Sequence, residues 1–96
     1  MPAYVIVDLD VKDPALYQQY LPHVPALVQK HGGEYLARGG RTETIEGSWQ
    51  PARLVLFRFP DAESARAFFD DPEYQPLRAI RQRAADGDIV LVDGIR

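Results

Sequence analysis

The sequence contains no cysteine, only two lysines (Lys12 and Lys30) and only two histidines (His23 and His31). The absence of cysteine excludes disulfide bonds, thiolate nucleophiles and cysteine-ligated metals. The two histidines lie eight residues apart in the chain, and the residues between them do not form a metal-binding pattern. We therefore expect no metal, haem or other cofactor.

The chain also lacks an excess of positive charge and any long apolar run. Its formal net charge is −3, so it has no basic field with which to hold nucleic acid or an anionic membrane. No apolar run approaches the roughly 18 residues of a membrane span, and the first ten residues lack the basic segment of a signal peptide. We expect a cytoplasmic protein with residues 1–96 in one domain.

Apolar patterning predicts four strands separated by helical regions. β-branched and aromatic residues dominate the strands, and their apolar residues do not follow a helical period. The helical regions begin at Asp13-Pro14 and at Asp61, where an aspartate stands in the N-cap position. The strands are expected at Ala3–Asp10, Glu34–Arg38, Ala52–Phe59 and Asp88–Asp93.

Prolines and glycines divide these regions further. Pro22 and Pro25 interrupt the first apolar stripe, so we expect a break between Tyr20 and Pro25 because a helix-interior proline removes a backbone donor. Gly32 and Gly33 are expected to end that helix. A second start signal at Asp71-Pro72 predicts another helical segment, and Asp86–Asp88 has the composition of a turn.

The stretch from Gly32 to Trp49 contains two glycine pairs and the only tryptophan. Gly39-Gly40 is typical of a bulge or bend, after which Thr42–Glu46 resumes an extended pattern. We expect one long, bent strand here, with any functional site close to it.

The resulting order, β-α-β-β-α-β, predicts an α+β fold of the ferredoxin-like type. The sheet is expected to be antiparallel overall, with strands one and three as parallel central neighbours and both helical regions on one face. Strands one, three and four are nevertheless apolar on both parities, and soluble monomers rarely expose a contiguous apolar patch. The simplest cover for the second face is the same face of another copy, which predicts a homodimer.

Several of these residues resemble a known family. The motifs Arg38-Gly39-Gly40 and Glu46-Gly47-Ser48-Trp49, together with the strand Leu54 to Phe59, are similar to the family catalogued as domain of unknown function 1330. The resemblance also includes Tyr74, Leu77 and Arg81 and covers nearly the whole chain. It implies a member of the dimeric α/β-barrel superfamily, in which two ferredoxin-like subunits pack sheet against sheet. Relatives in that superfamily include cofactor-free monooxygenases, haem proteins and stress-responsive barrels, so no single reaction is implied.

Two residues are candidates for catalysis. Arg38 stands beside two glycines that would let a ligand carboxylate approach its guanidinium group; the alternative is a structural pairing with Asp8 or Glu46. His23 lies between the two helix prolines and has the chemistry of a general base near neutral pH; the alternative is an exposed loop histidine.

The remaining candidates are aromatic or charged. Tyr17, Tyr20, Trp49 and Tyr74 would form the walls of a pocket for an aromatic or apolar small molecule, with Arg38 and Arg81 at its polar end. The alternative is that these aromatic rings belong only to the core and its rim. Asp8 and Arg58 each interrupt an apolar strand, which suggests a buried ion pair that is either structural or part of a site.

Two functions are compatible with these residues. The first is a small enzyme without metal or organic cofactor, acting on a small anionic or aromatic metabolite. The second is a non-catalytic dimeric binding or stress-related module without an active site. A cavity that includes both Arg38 and His23 would favour the enzyme.

Overall fold

A computed structural model describes residues 1–95 of the chain. Strand β1 is followed by two short helices, then by the β2–β3 pair, two further helices and the last strand. The elements are β1 (Ala3–Val11), α1 (Pro14–Tyr20), α2 (Val24–Lys30), β2 (Glu34–Arg38), β3 (Leu54–Phe59), α3 (Ala62–Asp70), α4 (Gln75–Ala84) and β4 (Ala85–Asp93).

The four strands form one sheet in the order β2-β3-β1-β4, which together with the helices gives the ferredoxin-like α+β fold expected from the sequence. Every neighbouring pair is antiparallel, so the expectation that the first and third strands run parallel was wrong. The helical crossover brings β2 back in the direction of β1, and the following connection reverses the chain into β3. Strand β3 must therefore run against β1. The sheet does not close into a barrel within one chain.

The first helical region is broken where the prolines predicted it. Asp13 caps α1 by accepting a hydrogen bond from the backbone N–H of Leu16 at 3.1 Å, and a single 3₁₀ turn (Leu21–His23) then separates α1 from α2. Pro22 and Pro25 have no backbone N–H to donate, so a continuous α-helical ladder is not available here. At the other end Gly32 adopts a φ of 77°, which confirms the expected glycine stop.

Several boundaries differ from the expected ones. The irregularity in β2 falls between Tyr35 and Ala37, not at Gly39-Gly40, and residues 42–46 form no strand. Helix α4 begins at Gln75 instead of Asp71-Pro72. Strand β3 begins at Leu54 instead of Ala52, and β4 begins at Ala85 instead of Asp88.

The sequence Asp86–Asp88 belongs to β4 and is not a turn. Its backbone pairs with β1 in continuous register, Asp86 opposite Asp10 and Asp88 opposite Asp8. Gly87 is needed in this position because a side chain there would overlap the backbone carbonyl of Asp8. Close approach of two backbones, rather than a reversal of the chain, explains the glycine.

The two faces of the sheet have different environments. Val5, Val7 and Leu9 of β1 are buried beneath the helices, where they join the aromatic core around Phe57 and Phe68. On the opposite face β1 presents Tyr4, Ile6 and Asp8, which are only half-buried.

That second face carries an apolar patch that is exposed in the single chain, with Asp8, Asp10, Asp86 and Asp88 at one end of it. Cross-strand pairing aligns Leu56, Ile6 and Val90 in one row on this face, because directly opposed residues point the same way. Leu36, Val90 and Val92 have 50%, 53% and 46% of their surface exposed. The prediction of two apolar faces is therefore confirmed by the described residues.

Candidate functional site

A narrow cavity lies between the helices and the sheet. The space open to the centre of a water molecule is about 30 Å³, and all the space between the lining atoms, including the mouth, is about 420 Å³. The smaller volume holds a few waters at most, and the larger includes open solvent at the mouth. A ligand would therefore enter by displacing side chains at the mouth.

All four strands contribute to the floor of this cavity. Arg38 of β2 pairs with Val55 of β3, Val55 with Val7 of β1, and Val7 with Ile89 of β4. These four residues form one row across the sheet, and each of them lines the cavity. The cavity consequently runs across the strands, with β2 on one side and β4 on the other.

The helices supply a hydrogen-bonded chain of polar groups. Arg81 of α4 donates from Nη1 to the Tyr74 hydroxyl at 2.9 Å, and the hydroxyls of Tyr74 and Tyr20 are 2.9 Å apart. A single hydrogen bond joins the two hydroxyl oxygens, and it takes up one of the two hydroxyl protons. The other remains available to a ligand.

Two further guanidinium groups line the cavity. Arg38 stacks over the ring of Tyr35, 4.3 Å from its centroid, and Arg53 lies over Tyr17 at 5.7 Å. The Nε of Arg53 is buried and has no hydrogen-bond partner within residues 1–95. Gly39, with a φ of 68°, makes room for Arg53, because a Cβ at this position would overlap its guanidinium group.

Among the described residues, the lining contains three arginines and no acidic residue. Among residues 1–95 the ion pairs lie elsewhere: Lys12 pairs with Asp10, Lys30 with Asp71 and Glu73, and Arg58 with Glu34. Arg81 is only 9% exposed, and a buried cation is costly unless an opposite charge or several hydrogen bonds compensate it. The cavity therefore has the electrostatic character of an anion site.

The hydroxyls of Tyr20 and Tyr35 are hydrogen-bonding groups, not bases. Burial, with a smaller effect from neighbouring Tyr74, raises the pKa of Tyr20 far above its ordinary value of 10.0. Burial also raises the pKa of Tyr35, although nearby Arg38 opposes this. Both phenols stay neutral at physiological pH, so they donate to an anion without competing with it for charge.

A cluster of charged groups behind the cavity holds Tyr74 in place. The buried Asp71 carboxylate accepts hydrogen bonds from Lys30 at 2.9 Å and from the backbone N–H of Glu73 at 2.9 Å, and it lies 2.8 Å from His31 Nε2. The Lys30 ammonium, followed by His31 and the Glu73 N–H, holds the pKa of Asp71 well below its usual range. The backbone carbonyl of Asp71 accepts from the N–H of Tyr74, so this cluster anchors the start of the polar chain.

The structure brings five of the seven predicted site residues together. Those five line the cavity: Tyr17, Tyr20, Arg38, Tyr74 and Arg81.

The other two lie elsewhere. His23 is exposed and borders a separate surface hollow together with Lys30 and Leu77. Trp49 lies on the second face, where its Nε1 donates to Asp8 at 2.9 Å. A cavity that includes both Arg38 and His23 would have favoured the enzyme hypothesis, and the structure does not bring these two residues together.

Other expected pairings also differ. Arg38 stacks on Tyr35 instead of pairing with Asp8 or Glu46. The buried pair of Asp8 and Arg58 does not form, because Asp8 lies opposite Leu54 and Arg58 opposite Tyr4, at different levels of the sheet.

Sequence reasoning missed Arg53 and Tyr35. Arg53 lies within the expected strand Ala52–Phe59 and shares its parity with the buried Val55 and Phe57, so strand alternation predicts that it points under the helices. The signal was therefore present in the sequence.

No group of three or more His, Cys, Asp or Glu side chains within residues 1–95 is arranged to hold a metal ion. No helix in this part of the chain is both long enough and apolar enough to cross a bilayer.

The fold and the cavity define a ferredoxin-like protein with an aromatic, arginine-lined pocket between the helices and the sheet. The sequence profile of the family described as domain of unknown function (DUF1330) matches residues 2–95. The chain belongs to this family. No functionally curated protein matches it.

Solved structures share the fold. A protein of unknown function from Rhodopseudomonas palustris is 16% identical with a TM-score of 0.76, the match covering 99% of this chain and 83% of that one. SnoaB from Streptomyces nogalater, described as a cofactor-independent oxygenase, is 11% identical with a TM-score of 0.66, covering 99% and 94%. A dimeric ferredoxin-like protein of unknown function from Jannaschia sp. CCS1 is 14% identical with a TM-score of 0.62, covering 100% of both chains. At these identities the similarity shows the fold alone.

Proposed function

We propose that this protein is a homodimer joined through the second face of the sheet, and that each subunit binds a small anionic molecule with an aromatic or unsaturated body. The observation that carries the ligand proposal is the cavity lining, to which the described part of the chain contributes three guanidinium groups and no carboxylate. A carboxylate or similar anion supplies the missing negative charge, and guanidinium groups bind carboxylates through paired hydrogen bonds.

The dimer is supported by the composition of the second face. Large apolar side chains from all four strands stand there half-exposed, among them Leu36, Ile6 and Val90. Burial of each such side chain contributes about 1.5–3 kcal/mol when it is complete. An isologous contact brings this patch against its own copy, and the dimeric ferredoxin-like neighbour from Jannaschia has the same fold.

The ligand proposal is supported by the geometry of the cavity walls. The rings of Tyr17 and Tyr20 are stacked with centroids 5.5 Å apart, and Phe57 and Phe68, which also line the cavity, are buried. Such walls favour a flat apolar body, while the Tyr20–Tyr74–Arg81 chain offers a hydroxyl proton and a guanidinium group to its anion.

A second candidate is an enzyme without metal or organic cofactor, and its support is the shared fold with a cofactor-independent oxygenase. Guanidinium and hydroxyl groups that bind a carboxylate would also stabilise negative charge that develops on a reacting oxygen. The lining contains neither histidine nor carboxylate, so the substrate has to ionise without a strong base from the cavity. A non-catalytic binding module needs only the same contacts.

The test is a thermal-shift titration with benzoate on the wild type and on Arg81→Met. Benzoate is expected to raise the Tm of the wild type and to leave that of Arg81→Met unchanged, because the deepest cation is lost. Arg66→Met, which removes an exposed arginine from α3, is the matched control and should respond like the wild type. An equal response in all three proteins, or none in the wild type, would contradict the proposed site.

A further inference from the structure

The arginines of the cavity lie on opposite sides of it. The row from Arg38 through Val55 and Val7 to Ile89 crosses three strand spacings, which at about 4.8 Å each separates its end Cα atoms by roughly 14 Å. Arg38 is on the β2 side of this row. Arg81 also borders a hollow formed with Gly87 and Ile89 of β4, which places it on the β4 side.

The two sides offer separate cationic positions. On the β4 side Arg81 is buried, and within residues 1–95 its side chain is hydrogen-bonded to the Tyr74 hydroxyl alone. On the β2 side Arg38 is exposed at the mouth, and Arg53, at the start of β3, lies beside Gly39 with its Nε unpartnered. None of these three arginines is in an ion pair with a carboxylate of residues 1–95.

The middle of the cavity is apolar. Val7, Val55 and Phe57 form the floor between the two cationic positions. A second anionic group placed there would lose its hydration without gaining a partner. The charges of a well-matched ligand therefore stand at its two ends.

We propose that the cavity takes a ligand with two anionic groups at opposite ends of a flat apolar body, of which an aromatic dicarboxylate is the simplest case. One anion meets Arg81 and the tyrosine hydroxyls, and the other meets Arg38 and Arg53 at the mouth. This inference rests on the proposed function and adds the position of the second charge. Because Arg38 is exposed, its side chain can move aside to admit the ligand without disturbing the core.

The experiment compares benzoate, with one carboxylate, and terephthalate, with two at opposite ends of the same ring. Calorimetric titration of the wild type should give a Kd for terephthalate about tenfold or more below that for benzoate, the factor expected of one additional charge-assisted hydrogen-bonded pair. Arg38→Met should remove this advantage, so that terephthalate and benzoate bind this variant with similar Kd values. Since Arg38 is exposed, this variant is expected to fold like the wild type.

Arg66→Met again serves as the control and should keep the full advantage of terephthalate. Equal affinities for the two probes in the wild type would overturn the two-ended ligand while leaving a single-anion pocket intact. An advantage that survives in Arg38→Met would overturn it as well. Failure of both probes to bind the wild type would overturn this inference together with the proposed function.

Discussion

Val5 and Ile6 are neighbours in β1, yet they belong to two different surfaces. Val5 is fully buried beneath the helices, on the face that also forms the cavity. Ile6 lies on the second face in a row with Leu56 and Val90, where no segment of the described chain covers it completely. The helices of the same chain thus cover the first face, whereas the second face requires a cover from another molecule.

The two faces of the sheet also differ in how their charged side chains are paired. On the second face Arg58 lies near Glu34 at 3.6 Å, and the carboxylate of Asp8 is occupied by Trp49 and the backbone N–H of Ala52. On the helix side the cavity arginines have no acidic partner among residues 1–95. The cavity on the helix side thus holds cations without acidic partners in the described chain, which suit an anionic ligand, whereas the second face also carries the exposed carboxylates of Asp86 and Asp88, opposite Asp10 and Asp8.

The largest expected effect distinguishes Phe57, on the helix side, from its neighbour Leu56, on the second face. Phe57→Ala should lower the free energy of unfolding by about 3–5 kcal/mol, because it empties a packed core position. Leu56→Ala should mainly weaken the association of subunits. The difference in Tm between the wild type and this variant should therefore increase as the protein is diluted. Thermal unfolding at several protein concentrations checks this; similar concentration dependence for both variants would contradict the division between the faces.

A smaller effect on stability is expected for Asp71, whose cluster of charged groups holds Tyr74 in place. Its pKa is lower in the folded protein than the ordinary 3.8, so its contribution to stability is complete above that value and is lost as the pH falls below it. Asp71→Asn should be less stable than the wild type at neutral pH, and the difference should shrink at a pH of about 3.

Urea unfolding midpoints across this pH range measure the effect. Asp70→Asn is the matched control, since its side chain is the exposed neighbour of Asp71, and it should follow the wild type throughout. A difference between Asp71→Asn and the wild type that stays constant with pH would argue against an ionised carboxylate in this cluster.

The smallest expected effect is spectroscopic. Trp49, the only tryptophan, is 58% exposed in the single chain and lies on the second face beside Asp8. Association through this face should make its surroundings drier, so the fluorescence maximum should move to longer wavelength as the protein is diluted. An emission maximum that is unchanged while the mass changes would place the contact on another surface.

The sequence was sufficient for the alternation of β1 and the break at Pro22 and Pro25, because each depends on local chemistry. The start of β4 was misjudged for a physical reason. Asp86-Gly87-Asp88 has the residues of a turn, but its backbone groups are satisfied by a strand that is distant in sequence. The direction of β3 relative to β1 follows from the number of chain reversals between the two strands, and no single residue determines it.

The candidate site was predictable to the extent that its residues lie on patterned elements. Tyr17, Tyr20 and Tyr74 were identified from helical spacing or a position beside a helix, and they meet in the cavity. His23 and Trp49 were chosen for their chemistry but stand in irregular segments, whose direction local patterning does not determine.

The most direct test of the account is the mass of the protein in solution, measured by sedimentation velocity at micromolar concentration on the wild type and on Val90→Asp. Val90 is half-exposed in the single chain, so the new carboxylate should spare the fold and oppose only a contact through the second face. The control is Ala79→Asp on the exposed surface of α4. We predict twice the single-chain mass of 10.8 kDa for the wild type and the control, and the single-chain mass for Val90→Asp; a monomeric wild type, or a Val90→Asp variant that remains dimeric, would contradict the account.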